Sequence, residues 1–315
     1  MDDDYRRWRD DKLAWADAAG EPAVVEIREP GAPSAAERAA IVDACARTNV
    51  SLYRWRPGAS EAGERKRVAS LAARLGLHRI DGNWLAGDDG ISSLEVVDGA
   101  GVRGDFVPYT DRAIRWHTDG YYNPPERRIQ AMLLHCCRRA DSGGVNRMLD
   151  HELVYILLRE REPALLEALC HPRAMTIPAR EDPDGAGRDE RAGPVFVPGP
   201  APGAPGGSGG RARGRGFGGV HMRYTARTRS IGWRDDPLTQ TAVKWLDTLL
   251  ETATPWTRQV RLEPGMGIVC NNVLHDRSAF RNDGEHRRLI LRARFLERVA
   301  TTDRAEGSTS WTTSN

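Results

Sequence analysis

Two short stretches carry residues able to do chemistry together. In "WHTD", residues 116–119, His117 and Asp119 stand one residue apart. That spacing suits a strand or its end, because alternate residues project from the same face. With 8 histidines and 44 acidic residues in 315, about one such pair arises by chance, so it gains weight only from its company. The company is "IVCNNVLHDRSAFRNDGEHRRLILRARF", residues 268–295, read as strand, loop and strand with His275 in the loop region. Two imidazoles and one carboxylate on one face of a metal, with the opposite positions open, form the ligand set of a non-haem Fe(II) oxygenase. His117, Asp119 and His275 supply that set, the third from a distant strand.

The strand after His275 adds an independent observation. In "RRLILRARFLE" the alternation puts Arg288, Ile290, Arg292 and Arg294 on one face. Leu289, Leu291 and Phe295 lie on the other, where they should pack against helices. Cations facing a cavity are costly unless an anion meets them. A dicarboxylate suits such a face, and the planar guanidinium fork suits a carboxylate.

Other polar residues have two readings each. Tyr121 and Tyr122 can line a substrate pocket, even caging a quaternary ammonium, or pack beside the "NPP" turn. His221, Arg223, Tyr224 and Arg227 can bind an anionic substrate or form a solvated strand. His135, Cys136 and Cys137 are consecutive on a strand and so point to opposite faces; they read as buried core rather than ligands. His151 follows Asp150 at a helix start and reads as capping or surface structure. Trp116 reads as packing.

The elements that must position these groups are legible in outline. Strands are expected at residues 23–31, 50–55, 91–97 and 129–137, the last apolar on both faces and therefore central. A helix is expected at 34–49, opened by a capping box of Ser34 and Glu37, and another at 61–77, ended near Gly76. Residues 150–170 read as helix interrupted near Pro163, and 237–253 as helix. Strand-like runs "TRQVRLE", "MGIVCNN" and "RRLILRARFLE" follow. Strands at both ends with helices between predict a β-core decorated by helices rather than regular βαβ alternation. Residues 181–219, rich in Gly, Pro, Ala and Arg, read as a mobile insertion. Residues 301–315 read as a disordered tail.

Composition excludes several classes. The net charge of +2, from 46 basic and 44 acidic residues, implies no nucleic-acid or anionic-membrane partner. "GGRARGRGFGG" is too short to make an RNA-binding tract in a near-neutral chain. The charged leader has no apolar core of a secretory signal, and no run of 18 apolar residues occurs. Five cysteines without a Cys-x-x-Cys pair predict reduced thiols and a cytoplasmic setting.

Together, "WHTDGYYNPP", "SGGVN" and "NNVLHDRSAF…RRLILR" resemble the taurine dioxygenase (TauD/TfdA) family of Fe(II)/2-oxoglutarate oxygenases. The middle stretch also resembles the family's γ-butyrobetaine hydroxylase relatives. The resemblance covers roughly residues 90–180 and 220–297 in the family's order. It implies a mainly β fold with flanking helices around a double-stranded β-helix, a cupin-like jelly roll, forming one domain over residues 1–300. It implies iron at His117, Asp119 and His275, with 2-oxoglutarate as cosubstrate and O2 as oxidant. Arg288 matches the arginine that binds the distal carboxylate of 2-oxoglutarate, and alternation favours it over Arg287. Arg292 matches an arginine that contacts an anionic substrate group. Asn146 stands where the taurine enzyme has a threonine assisting 2-oxoglutarate; an amide also donates a hydrogen bond. Asp119 argues against a halogenase, whose relatives lack that carboxylate.

The implied activity is hydroxylation of a small polar metabolite, anionic or amino-acid-like, coupled to decarboxylation of 2-oxoglutarate to succinate. Tyr121, Tyr122, Arg223 and Arg292 are the candidate substrate contacts. Two alternatives stand beside it: a jelly-roll sensor that binds iron or 2-oxoglutarate without turnover, and an oxygenase that desaturates or cyclises. Homo-oligomerisation is left open.

Overall fold

The computed structural model describes residues 3–20, 23–82, 86–96, 106–180, 187–199, 219–227, 231–252, 254–284 and 287–299, with the backbone of 312–313. Most of the expected insertion, 181–186 and 200–218, and the expected tail except 312–313 lie outside these residues. The chain divides into two compact units: residues 1–18, 115–128 and 149–257 form one, and residues 19–114, 129–148 and 258–315 the other.

The second unit is built on one large sheet. Its strands run in the order Val24–Glu26, Val50–Arg54, Met266–Cys270, Ala131–Arg138, Leu289–Phe295, Arg79–Ile80 and Thr312–Thr313, with Ser92–Leu94 also on Leu289–Phe295. Ala131–Arg138 is central, as its two-sided apolar pattern requires; it lies antiparallel between Met266–Cys270 and Leu289–Phe295. Alternation then sorts the side chains between two cores. On one face Leu133, Val269, Leu291, Ala293 and Phe295 pack with Ile41 and Cys45 of helix Ala35–Thr48 and with Val68 and Leu71 of helix Glu61–Arg74. On the other, Leu52, Met132, Leu134, Cys136, Ile268 and Ile290 meet Met148, Leu262 and Val273. This second core joins the large sheet to a smaller one, in which Asn146–Leu149 lies between Arg258–Val260 and Leu274–Arg277.

The helix signals act as read. Ser34 Oγ accepts from the Glu37 amide at 3.2 Å, and the Ser34 amide donates to the Glu37 carboxylate at 2.7 Å, so the capping box forms. The helix expected at 61–77 closes earlier, at Arg74, with Gly76 in the left-handed region at φ 77°. The strands expected at 23–31 and 91–97 contract to Val24–Glu26 and Ser92–Leu94.

The first unit carries helices Asp3–Ala18, His151–Arg161, Pro163–Cys170 and Pro237–Glu251. Pro163 divides the second from the third, at the expected interruption. The charged leader, read from sequence only as polar, is a helix. It buries Tyr5, Trp8 and Lys12, and its arginines and aspartates cover the outer face. Trp8 meets Tyr155 edge-on at 6.2 Å, and Tyr155 meets Phe196 at 5.6 Å. Lys12, only 3% exposed, bridges Asp150 at 2.9 Å and Glu152 at 2.5 Å. Burial opposes its charge, but the two carboxylates outweigh burial and hold the ammonium above its ordinary pKa. Lys12→Ala leaves two buried carboxylates without that cation, at an expected cost of about 3–5 kcal/mol; thermal unfolding followed by circular dichroism checks it.

His151 is buried rather than at the surface: its Nε2 lies 2.7 Å from the Val220 carbonyl. Part of the expected insertion is regular. Arg191–Gly193 pairs with Met175–Ile177, and Phe196–Pro198 pairs with Val220–Met222. No helix among the described residues is long and apolar enough to cross a membrane.

Candidate metal centre and active site

His117 ends the strand Ile114–His117, and Asp119 follows in a turn where Gly120 takes φ 68°. That turn is fixed by backbone pairing. The Thr118 amide donates to the Tyr224 carbonyl at 3.0 Å, the Tyr224 amide donates to Thr118 Oγ1 at 3.1 Å, and Thr225 bridges His117. His275 lies on Leu274–Arg277, just after Asn272, whose backbone sits at φ 50° and whose amide donates to the Ile129 carbonyl at 2.9 Å.

One ligand atom from each of His117, Asp119 and His275 lies within 4.8 Å of the others. His117 Nε2 is 3.8 Å from Asp119 Oδ1. The two imidazoles are set alike: His117 Nδ1 lies 2.9 Å from the Arg115 carbonyl and His275 Nδ1 lies 2.9 Å from the Val273 carbonyl. A carbonyl only accepts, so each Nδ1 carries a proton, which in the neutral ring leaves the lone pair on Nε2. This is the tautomer a metal-binding histidine needs. Two neutral imidazoles and one carboxylate fit a divalent first-row metal such as Fe(II).

Arg288 is buried next to the glycines of "SGGVN". Gly143 and Gly144 both take the left-handed region, at φ 73° and 69°. A Cβ on Gly143 would meet the Ala279 carbonyl at 2.1 Å, and one on Gly144 would meet Arg288 Nε at 3.4 Å. At Gly143 only glycine lets the backbone lie so close, and at Gly144 the left-handed φ favours glycine. The Arg288 guanidinium stands 5.0 Å from the Phe280 ring centroid, and the Arg288 amide donates to Asn282 Oδ1 at 3.0 Å. Among the described residues no carboxylate pairs with it, and burial pushes its pKa down to about 10. Asn146 is buried, with its amide 3.5 Å from the Gly144 carbonyl.

The arginine face divides. Arg292 is half-buried opposite Ser92 and Leu134. Arg294 is neutralised by buried Asp81 at 2.6 Å, so it does not present a cation to a cavity. Tyr121 and Tyr122 meet edge-to-face at 5.2 Å, and the Arg188 guanidinium lies 5.7 Å from the Tyr122 ring centroid. Burial raises the Tyr121 pKa, against the fields of Arg227 and Arg188. Arg223 neither makes a solvated strand nor turns its fork outward. It donates to the carbonyls of Tyr121, Met175, Gly193 and Arg191 at 2.6, 2.9, 3.4 and 2.8 Å, clamping the backbone of the tyrosine pair.

His135, Cys136 and Cys137 split between the two faces as expected. His135 stacks on Trp55 at 4.5 Å and reaches Glu64 at 3.1 Å. Burial raises the Glu64 pKa, but hydrogen bonds from His135, the Gly58 amide and Trp55 outweigh it and bring the carboxyl down to about 2. Arg277, Phe280 and Arg188 were not singled out from sequence. For Arg277 a signal existed, since it follows His275 by two on one strand and so shares its face.

Residues 27–294 match the family described as taurine catabolism dioxygenase TauD, TfdA family. Solved structures are similar over nearly the whole chain. Asparagine oxygenase in complex with Fe(II), 2S,3S-3-hydroxyasparagine and succinate shares 15% identity over 94% of this chain and 92% of its own, at a TM-score of 0.57. A point mutant of the non-haem iron oxygenase OrfP in complex with (3S)-hydroxy-L-Arg shares 16% over 94% and 92%, also at 0.57. A taurine dioxygenase from Burkholderia xenovorans shares 14% over 87% and 89%, at 0.51. No curated protein sequence matches the chain. The likenesses show a jelly-roll fold, mainly β with flanking helices. The chain belongs to the TauD/TfdA family of dioxygenases.

Proposed function

We propose that this chain is an Fe(II)/2-oxoglutarate-dependent dioxygenase that hydroxylates a small, amino-acid-like metabolite with an anionic group, releasing succinate and CO2. The observation that carries the reading is the ligand set: two imidazoles with lone pairs on Nε2, and one carboxylate, gathered within 4.8 Å. His117, Asp119 and His275 hold the metal. Arg288, buried and without an acid partner among the described residues, takes the distal carboxylate of 2-oxoglutarate, and Asn146 lies beside its approach. Bound iron and 2-oxoglutarate supply the activation of O2. The protein's part is to hold, orient and keep water out.

Tyr121 and Tyr122 form the substrate wall beside Asp119, with Arg223 fixing their backbone. Arg292 contacts the anionic group. Two of the similar structures hold hydroxylated amino acids, which supports an amino-acid-like substrate. All five cysteines are free thiols, which supports a cytoplasmic setting.

Succinate release over a panel of amino acids and small organic acids tests the reading. At least one acid-bearing compound is expected to stimulate release, and Arg292→Ala is expected to raise its KM about tenfold or more. Product mass separates hydroxylation from desaturation or cyclisation. A protein that binds both ligands yet consumes no oxygen with any compound is a sensor, and the reading fails.

A further inference from the structure

A second buried arginine stands beside the group assigned to 2-oxoglutarate. Arg277 is 4% exposed and Arg288 is 5% exposed. Their guanidinium carbons lie 4.8 Å and 5.0 Å from the centroid of one ring, that of Phe280. Arg277 donates to the carbonyls of Pro108, Thr110 and Arg112 at 3.4, 2.8 and 2.5 Å. Its Nε is buried with no hydrogen-bond partner among the described residues, and no carboxylate there forms an ion pair with it. Asp111 is the nearby acid, and its field favours the charge.

Three carbonyl dipoles offset part of the cost of burying this charge, but they do nothing for the repulsion between the two arginines. Like charges gathered at one ring are little screened where water is excluded. A carboxylate arriving at Arg288 reverses the sign of the repulsion, because one anion then serves two cations. We infer that Arg277 is a positioning residue for the cosubstrate: it completes a two-arginine setting around Phe280 that selects a keto acid carrying a second, distal carboxylate. The inference rests on the assignment of Arg288 to that carboxylate. The competing role is purely structural, with Arg277 tying residues 108–112 to the strand of His275.

A pair of ligands separates the two. 2-Oxoglutarate and 2-oxopentanoate share the keto-acid end, and only the first has the distal carboxylate. Calorimetry measures both on Mn(II)-loaded protein, which binds without turnover. Wild type is expected to prefer 2-oxoglutarate strongly. Arg277→Gln is expected to cut that preference about tenfold and leave the affinity for 2-oxopentanoate unchanged. Arg277→Lys, which keeps the charge, is expected to retain most of it, and this variant carries the test if the glutamine protein does not fold. A preference that survives Arg277→Gln, or equal weakening of both ligands, overturns the inference in favour of the structural tie. A preference lost in Arg277→Lys overturns it as well. Wild type without any preference overturns the Arg288 assignment instead.

Discussion

His117→Ala is expected to abolish the visible charge-transfer band that forms when Fe(II) and 2-oxoglutarate are added without oxygen, and to cut succinate release more than about a hundredfold. In the proposed centre the imidazole is one of three protein donors among the described residues, and its orientation is set by the Nδ1 bond to the Arg115 carbonyl. Removing it leaves one imidazole and one carboxylate, a set too small to fix the metal's open positions. Groups that merely orient a ligand already matter about 10–100-fold in affinity or activity, so loss of the ligand itself exceeds that range. His275→Ala is expected to match it, because the two histidines are set in the same way. Both variants should keep the wild-type circular dichroism spectrum, since neither ring belongs to an apolar core. A band of unchanged intensity in either variant would falsify the metal assignment.

Arg288→Gln is expected to weaken 2-oxoglutarate about a hundredfold, read as a rise in the concentration that half-saturates the same band. The guanidinium is buried against Phe280, and no carboxylate among the described residues competes for it. A dicarboxylate brings the one charge the site lacks. Arg288→Lys should recover only part of the loss, because an ammonium cannot present two parallel N–H bonds to one carboxylate. Saturation at an unchanged concentration in the glutamine variant would remove Arg288 from the cosubstrate site.

The sequence made the chemistry legible because each signal is local or strictly periodic. The His-x-Asp pair, the alternation of Leu289–Phe295 and the capping box at Ser34 need no knowledge of distant contacts; the last two sit where their spacing requires, while His117 ends its strand and Asp119 follows in a turn. What failed to show depends on partners far along the chain. Arg294 looks like its neighbours until Asp81 is brought to it across 213 residues. Arg223 looks like a substrate arginine until four carbonyls surround it. The leader helix is masked by its own charge: only three of its sixteen residues are buried, and one of those is a lysine. Glycine pairs read as loop punctuation, yet Gly143 admits the Ala279 backbone and both Gly143 and Gly144 hold the left-handed backbone beside Arg288.

The pairing of Phe196–Pro198 with Val220–Met222 has a consequence for how this chain can vary. The two arms close on each other, with the Gly199 amide on the Gly219 carbonyl at 2.7 Å, and the returning arm continues directly to Tyr224 and Thr225 beside His117. The chain thus leaves at Gly199 and returns at Gly219 through one hydrogen-bonded neck. Each doubling of a loop's length costs only about 0.6 kcal/mol. Sequence can therefore be gained, lost or exchanged there, an epitope or affinity tag included, without the change being transmitted to Thr225 and its bridge to His117.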